Sequence, residues 1–114
     1  MPEPLSKTWS ANAGASFSPG AIVLVTLNNP REKYWGAVQA ESPAGVAMRG
    51  LDLNSFEDFI HQMIAGDDVA PHAVFFPMHR VERIELDEHN AGIPSMQQRF
   101  ESKTGRSCQA LFAA

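Results

Sequence analysis

The chain has 114 residues, a formal net charge of −4 at pH 7, 44% hydrophobic residues and 19% charged residues. A chain of this length supports one hydrophobic core. The hydrophobic fraction excludes a disordered chain, and the negative net charge excludes a strongly basic nucleic-acid module. The single cysteine, Cys108, excludes an internal disulfide and a thiolate zinc site, so we expect a reducing, cytoplasmic compartment. No apolar run reaches the roughly 18 residues of a membrane span, and we expect no membrane partner.

The first part of the chain, residues 1–20, is predicted to be a flexible tail because Ser, Asn and Gly dominate and apolar periodicity is absent. Trp9 and Phe17 are its aromatic residues, and we expect such residues to dock on the chain's own domain. Residues 21–27 are apolar and β-branched and follow a Pro-Gly pair, which predicts the first strand.

Two further strands are predicted at residues 34–41 and 46–53, joined by a turn at residues 42–45. Each contains an interior glycine, Gly36 in the first and Gly50 in the second. A glycine inside a strand is typical of a sharp bend or of close backbone approach. We therefore expect these strands to be strongly bent.

The hydrophobic period then changes to that of a helix, which we predict over residues 55–65. Five apolar residues at helical spacing form one stripe, and these are Phe56, Phe59, Ile60, Met63 and Ile64. Asn54 and Glu57 have the spacing of a capping box at the helix start. Gly66 is expected to end the helix.

The remaining elements are two short strands and a short helix. Residues 73–76 and 81–86 predict the fourth and fifth strands, interrupted by residues 77–80. Ser95 is predicted to cap a helix that runs to about residue 103, with Gln98 completing a capping box. We expect the last eight residues to be loose. The chain therefore divides into a tail (1–20), a β-domain (21–94) and a short helix with a loose C-terminal end (95–114).

This order predicts a mainly β fold: a bent five-stranded sheet or small barrel, with a helix inserted between strands 3 and 4 and a short C-terminal helix. Closing such a sheet removes the exposed edges that a short β-domain must otherwise protect.

Four segments carry a resemblance to a known superfamily. Residues 23–27, Trp35-Gly36-Ala37-Val38 and residues 46–48 resemble the first Sm motif, and residues 78–84 resemble the second. The chain is thus similar, over residues 20–86, to Sm-like proteins, including the bacterial Hfq branch, and the resemblance implies an Sm-like or SH3-like barrel. His79 falls near the histidine of that branch's Lys-His pair, but Met78 stands where the lysine would be. Sm proteins typically have Asp and Asn in the RNA-contacting loop, where this chain has Glu41-Ser42-Pro43-Ala44-Gly45. Residues 54–71 are an insertion relative to the Sm-like pattern.

The resemblance implies a non-enzymatic homo-oligomer with RNA as its ligand. The predicted ligand face consists of Tyr34, His79 and Arg80, with Arg31 and Lys33 on its rim. Tyr34 would stack on bases, and the cations would contact phosphates. In Sm-like rings the fourth and fifth strands of neighbouring subunits pair edge to edge. Val74, Phe76 and Val81 would suit such a seam.

The charge distribution favours an alternative, a protein-interaction or structural module that does not bind nucleic acid. Residues 1–94 contain 6 basic and 12 acidic side chains, a net charge of −6. A third possibility is a small-ligand or enzymatic pocket between the inserted helix and the barrel.

The His, Asp, Cys and Ser residues form no recognisable catalytic or metal-binding pattern in the sequence. His61, His72, Asp67 and Asp68 are interpreted as solvated side chains, and Cys108 as an unspecialised thiol. Ser55 and Ser95 are better explained as helix caps than as nucleophiles. The sequence therefore predicts no catalytic residue, metal ligand or cofactor.

Overall fold

The computed structural model describes residues 17–113. The strands are β1 (Ile22–Leu27), β2 (Glu32–Ser42), β3 (Gly45–Asp52), β4 (His72–Pro77) and β5 (Val81–Leu86). The α-helices are α1 (Phe56–Ile64), α2 (Met96–Thr104) and α3 (Cys108–Phe112). Short 3₁₀ turns occupy Leu53–Ser55, before α1, and Met78–Arg80, between β4 and β5.

All five strands form one antiparallel sheet in the order β4-β3-β2-β1-β5. The first four strands follow one another across the sheet, and β5 returns to pair with β1. The predicted fold class is confirmed: a mainly β fold with a helix between strands 3 and 4 and a short helix near the C-terminus. Each predicted strand lies within two residues of the observed bounds.

The sheet is bent but not closed. An inner cluster of buried side chains lines one of its faces and consists of Val23, Val25, Leu27, Val38 and Met48. Val74 and Phe76 of β4 pack against this cluster, and so do Val81 and Ile84 of β5. The two end strands therefore curl toward the same core. No β4–β5 ladder joins them within residues 17–113, so the expected closure of the sheet is not reached.

Gly36 and Gly50 mark the closest approach of two strands. They are Cα partners on β2 and β3. A Cβ atom on Gly36 would lie 2.2 Å from the Arg49 carbonyl oxygen and 2.6 Å from the Gly50 Cα. A side chain at this position would collide with backbone atoms, as expected for a glycine inside a bent strand. Both interior glycines singled out in the sequence therefore serve the packing of the sheet.

The outer face of the sheet is covered by the three helices. An outer cluster consists of Trp35, Ala37 and Leu51 from the sheet with Phe56, Phe59, Ile60, Phe100, Cys108 and Phe112 from the helices. The indole of Trp35 lies at its centre, with ring centroids 5.4 Å from Phe56, 5.9 Å from Phe100 and 4.9 Å from Phe112. The central strands are thus covered on both faces, which explains the nearly continuous apolar run of β1.

The C-terminal end differs from the sequence-based expectation. We expected the last eight residues to be loose, but α3 occupies Cys108–Phe112. The Cys108 and Phe112 side chains are buried in the outer cluster. A five-residue helix has no stability of its own, so burial against Trp35 supplies its order. Trp35 lies far from α3 in the sequence, so its contact with Phe112 produces no periodic pattern of apolar residues near the C-terminus.

The start of α1 also differs. The Glu57 carboxylate does not close a capping box; it binds Arg99 at 2.9 Å and Lys103 at 3.0 Å, both on α2. Asp52 instead caps the preceding 3₁₀ turn by accepting a hydrogen bond from the Asn54 N–H. Gly66 ends α1 at its C-terminus, as predicted. Ile64, however, is exposed rather than part of the buried stripe.

The segment before β1 docks on the domain. Phe17 packs against the inner cluster, and the Gly20 N–H donates to the Val38 carbonyl at 2.8 Å. The docking expected of Phe17 is thus present, whereas Trp9 and the rest of the predicted tail over residues 1–16 lie outside the described residues. Between residues 17 and 113, no helix is both long enough and apolar enough to cross a membrane.

Candidate functional site

Two arginines of the predicted ligand face and its rim, Arg80 and Arg31, form ion pairs near the β1–β2 turn. The Arg80 guanidinium donates from Nη2 to Glu32 Oε1 at 3.2 Å and to the Pro30 carbonyl at 3.3 Å. Arg31 Nη1 lies 3.8 Å from Glu82 Oε1. The fold therefore brings Arg31 and Arg80 to one region, as predicted for a ligand face. Each cation has a carboxylate partner there, which reduces the positive potential available to a phosphate.

The other predicted ligand residues have different surroundings. Lys33 is exposed and forms no salt bridge within the described part of the chain. His79 is exposed on the 3₁₀ turn between β4 and β5. Tyr34 is half-buried, and its ring packs edge-on against Phe76 with centroids 4.9 Å apart. Burial raises the pKa of the Tyr34 hydroxyl above its ordinary value, and the charges of Asp52 and Glu32 raise it further.

Two adjoining depressions lie beside these residues. A cavity of about 170 Å³ is lined by side chains that include Tyr34, Asp52, Phe59 and His72. A groove of about 320 Å³ is lined by Arg31, Glu32 and Lys33 together with the same Asp52. The cavity lies between α1 and the sheet, the region in which the sequence placed a possible ligand pocket. Tyr34 lines the cavity, Arg31 and Lys33 line the groove, and Asp52 lines both.

The predicted interface residues lie on the two end strands. Val74 and Phe76 of β4 and Val81 of β5 are partly exposed and pack against the inner cluster. Each end strand has one edge without a strand partner in the sheet that the structure describes. Phe75, on the opposite face of β4, is 54% exposed. The strand β4 contains no Asp, Glu, Lys or Arg, whereas β5 contains three such residues.

A buried carboxylate that sequence reasoning missed is structural. Asp87 Oδ2 accepts hydrogen bonds from Trp35 Nε1 at 3.0 Å and from the Gln97 N–H at 2.8 Å. Its Oδ1 accepts from the Met96 N–H at 2.8 Å. Asp87 thereby caps α2 and ties it to the sheet. It precedes the helix by too many residues to match a capping-box spacing, so no local pattern could have revealed it.

Cys108 and the acidic loop do not form a reactive site. The Cys108 thiol is fully buried, and burial raises its pKa to about 12, with further contributions from Glu101 and Asp87. It is therefore protonated at neutral pH, which is the state of an inert thiol. Asp67 and Asp68 are exposed. Among the residues described here, no three His, Cys, Asp or Glu side chains gather in a metal-binding group.

Comparisons with protein-family models, with curated proteins and with solved structures find no match. The Sm-like resemblance therefore stays a prediction, and any function has to be argued from this chain's own residues.

Proposed function

We propose that this chain is a non-enzymatic interaction module that self-associates through its end strands, β4 and β5. The observation that carries the proposal is the edge of each strand that has no strand partner within residues 17–113, beside the partly exposed Val74, Phe76 and Val81. A free edge presents unpaired N–H and C=O groups to another strand, and side chains beside it supply apolar contact.

The chemistry of β4 supports a strand from another protein chain as its partner. Edge strands that must remain unpaired usually contain charged side chains, and β4 contains none. Its Phe75 side chain, 54% exposed, lies beside the free edge. Such an edge favours pairing with a second strand over contact with water.

Further copies of the chain would provide a strand partner for both edges. One copy's β4 would pair with the next copy's β5, so every contact would use the same two surfaces. Such head-to-tail contacts form a ring if the rotation closes and a chain if it does not. Ring formation by these strands is also what the Sm-like resemblance implies. A reducing, cytoplasmic setting, which the single cysteine favours, completes the proposal.

The test is the solution mass by light scattering over a concentration series. We expect the wild-type chain to form an oligomer, with a mass of at least two copies of the 12.5 kDa chain. The Phe75→Lys variant places a charge beside the β4 edge without touching either core cluster, and we expect it to be monomeric. Ile93→Lys is the matched control, because Ile93 is 70% exposed and lies outside the strands.

Two outcomes would contradict self-association through these edges. One is a wild-type chain that stays monomeric over the whole series. The other is an oligomer that Phe75→Lys and Ile93→Lys affect equally. Circular dichroism of both variants shows whether each keeps the fold.

RNA is the second candidate ligand, favoured by the groove that Lys33 shares with Arg31 beside Tyr34. A ring of copies would repeat these cations around one face. The acidic balance of the chain opposes this candidate, since phosphate binding requires a surplus of cations. Binding of single-stranded RNA that weakens with salt and is lost in Lys33→Glu would favour RNA. Absence of RNA binding at low salt would leave the protein-interaction role.

A further inference from the structure

A second cavity, of about 220 Å³, lies where α1, α3 and the segment before β4 meet. Its lining includes Met63 of α1, Ala110 and Leu111 of α3, and residues 69–71, which connect α1 to β4. Arg106, two residues before α3, also lines it. Pockets for drug-sized ligands begin at roughly 300 Å³. The size of this cavity therefore suits a shorter ligand.

The apolar part of the cavity lining is held by the core of the domain. Met63, Val69 and Leu111 are partly buried and pack against the outer cluster. Pro71, which also lines the cavity, is buried. This apolar surface is therefore in place before any ligand arrives, which reduces the entropy lost on binding. An aliphatic group in the cavity would remove part of this surface from water.

The charge that lines the cavity is positive. Arg106 contributes it, and no aspartate or glutamate is among the described residues of the lining. Asp67 and Asp68 precede the lining segment in the chain but do not line the cavity themselves. The sign of this local charge is opposite to that of the whole chain, whose net charge is −4.

A second arginine adds to this charge. Four of the six arginines form ion pairs with glutamates, and these are Arg31, Arg80, Arg83 and Arg99. Arg49 and Arg106 form no ion pair within residues 17–113. Arg49 Nη1 donates to the carbonyl of Pro71, a lining residue, at 3.3 Å. Both arginines without a carboxylate partner are thus at this cavity, where their combined field attracts an anion.

We propose that this cavity binds a short aliphatic carboxylate, with its chain against Met63, Val69 and Leu111 and its carboxylate on the Arg106 guanidinium. A guanidinium can donate two parallel hydrogen bonds to a carboxylate, which selects this anion by geometry as well as by charge. Burial of the methylene groups supplies the remaining affinity. The proposal is independent of self-association, because no residue of the lining belongs to β4 or β5.

The first experiment titrates the full chain with hexanoate, followed by calorimetry and by amide shifts in NMR spectra. Hexanol is the neutral probe of similar shape, and hexylammonium carries the opposite charge. We expect saturable binding of hexanoate with a dissociation constant of about 1 mM or below. The amide shifts are expected to centre on Val69, Ala70, Ser107 and Ala110. We expect both other probes to bind at least roughly tenfold more weakly.

A matched pair of variants tests the role of the guanidinium. Arg106→Gln removes the charge from an exposed side chain that lines the cavity. We expect it to weaken hexanoate binding about tenfold and to leave hexanol binding unchanged. Arg83→Gln removes the same charge from an exposed position on β5 that does not line the cavity, and we expect unchanged affinity for hexanoate.

A second pair tests whether the cavity itself is the site. Ala110→Phe places a ring at an exposed position of the lining, where it takes the space of the aliphatic chain. We expect it to weaken hexanoate binding at least about tenfold. Gln109→Phe introduces the same ring at the neighbouring exposed position of α3, which does not line the cavity. We expect it to bind hexanoate as the wild-type chain does.

Three results would overturn the proposal. The first is a lack of saturable hexanoate binding, and the second is equal binding of hexanoate and hexylammonium. The third is equal affinity for hexanoate within either pair of variants. Thermal melts of each variant establish that the protein compared is folded. A chain that binds hexanoate but stays monomeric would contradict only the self-association proposed above, so the two proposals are tested separately.

Discussion

Asp87 joins the sheet to α2 through a single carboxylate. Its two oxygens accept three hydrogen bonds, one from the Trp35 indole and two from the first backbone N–H groups of α2. The Gln97 side chain returns a hydrogen bond to the Asp87 carbonyl at 3.1 Å. The side chain is buried, so removing it leaves three donors without partners. Unsatisfied buried donors are costly because the folded chain has lost water as their alternative.

We predict that Asp87→Ala lowers the free energy of unfolding by roughly 2–4 kcal/mol, the combined effect of a lost helix cap and a lost buried hydrogen bond. Urea denaturation followed by far-UV circular dichroism measures this change. Asp67→Ala is the control, because Asp67 is exposed in a loop and makes no side-chain hydrogen bond among the described residues. Equal stability of the two variants would contradict the structural role of Asp87.

α3 shows how packing creates an element that has no intrinsic stability. Its five residues end in Phe112, whose ring centroid lies 4.9 Å from that of Trp35 in a nearly perpendicular arrangement. Ser107 caps the helix by accepting from the Ala110 N–H, and the Glu101 carboxylate accepts from the Cys108 N–H at 2.9 Å. The start of α3 is thus held by α2, and its end is held by the sheet.

We expect Phe112→Ala to destabilise the fold by about 3–5 kcal/mol, the range for removing a buried phenylalanine side chain. Gln109→Ala, at an exposed position of the same helix, is expected to change stability by less than about 0.5 kcal/mol. Guanidinium denaturation of both variants provides the comparison. A Phe112→Ala variant as stable as Gln109→Ala would mean that the C-terminal end is loose after all.

At the scale of the whole molecule, one sheet separates two apolar clusters. Every strand contributes to the inner cluster, and the three helices cover the outer one. β1 and β2 contribute side chains to both, so neither cluster can be lost while the other keeps its geometry. Small single domains built in this way unfold in one cooperative step.

We therefore predict that unfolding transitions followed by different probes coincide. In a Trp9→Phe variant, fluorescence reports only Trp35, which lies in the outer cluster, whereas far-UV circular dichroism reports the whole sheet. The two curves are expected to have the same midpoint at one protein concentration. Separate midpoints would mean that the helices detach before the sheet unfolds. A midpoint that rises with protein concentration would in addition support self-association.

The features that the sequence predicted depend on neighbouring residues. Alternation and β-branched runs located all five strands, and the stripe from Phe56 to Met63 located α1. The Ser95–Gln98 capping box at the start of α2 is confirmed. Arg31 and Lys33 line one groove because they are close in the chain. The period of apolar residues, the spacing of capping residues and the identity of turn residues are all local features of the chain. A single sequence is therefore enough to identify them.

Tertiary structure alone decided the contacts between distant residues. Asp87 lies 52 positions from Trp35, and Arg80 lies 48 positions from Glu32, which neutralises part of the predicted cationic face. Two further features depend on how the helices pack on the sheet: the order of α3, and the ion pairs of the Glu57 carboxylate with Arg99 and Lys103. No local pattern encodes these contacts, because they form only when the folded chain brings the partners together and removes them from water.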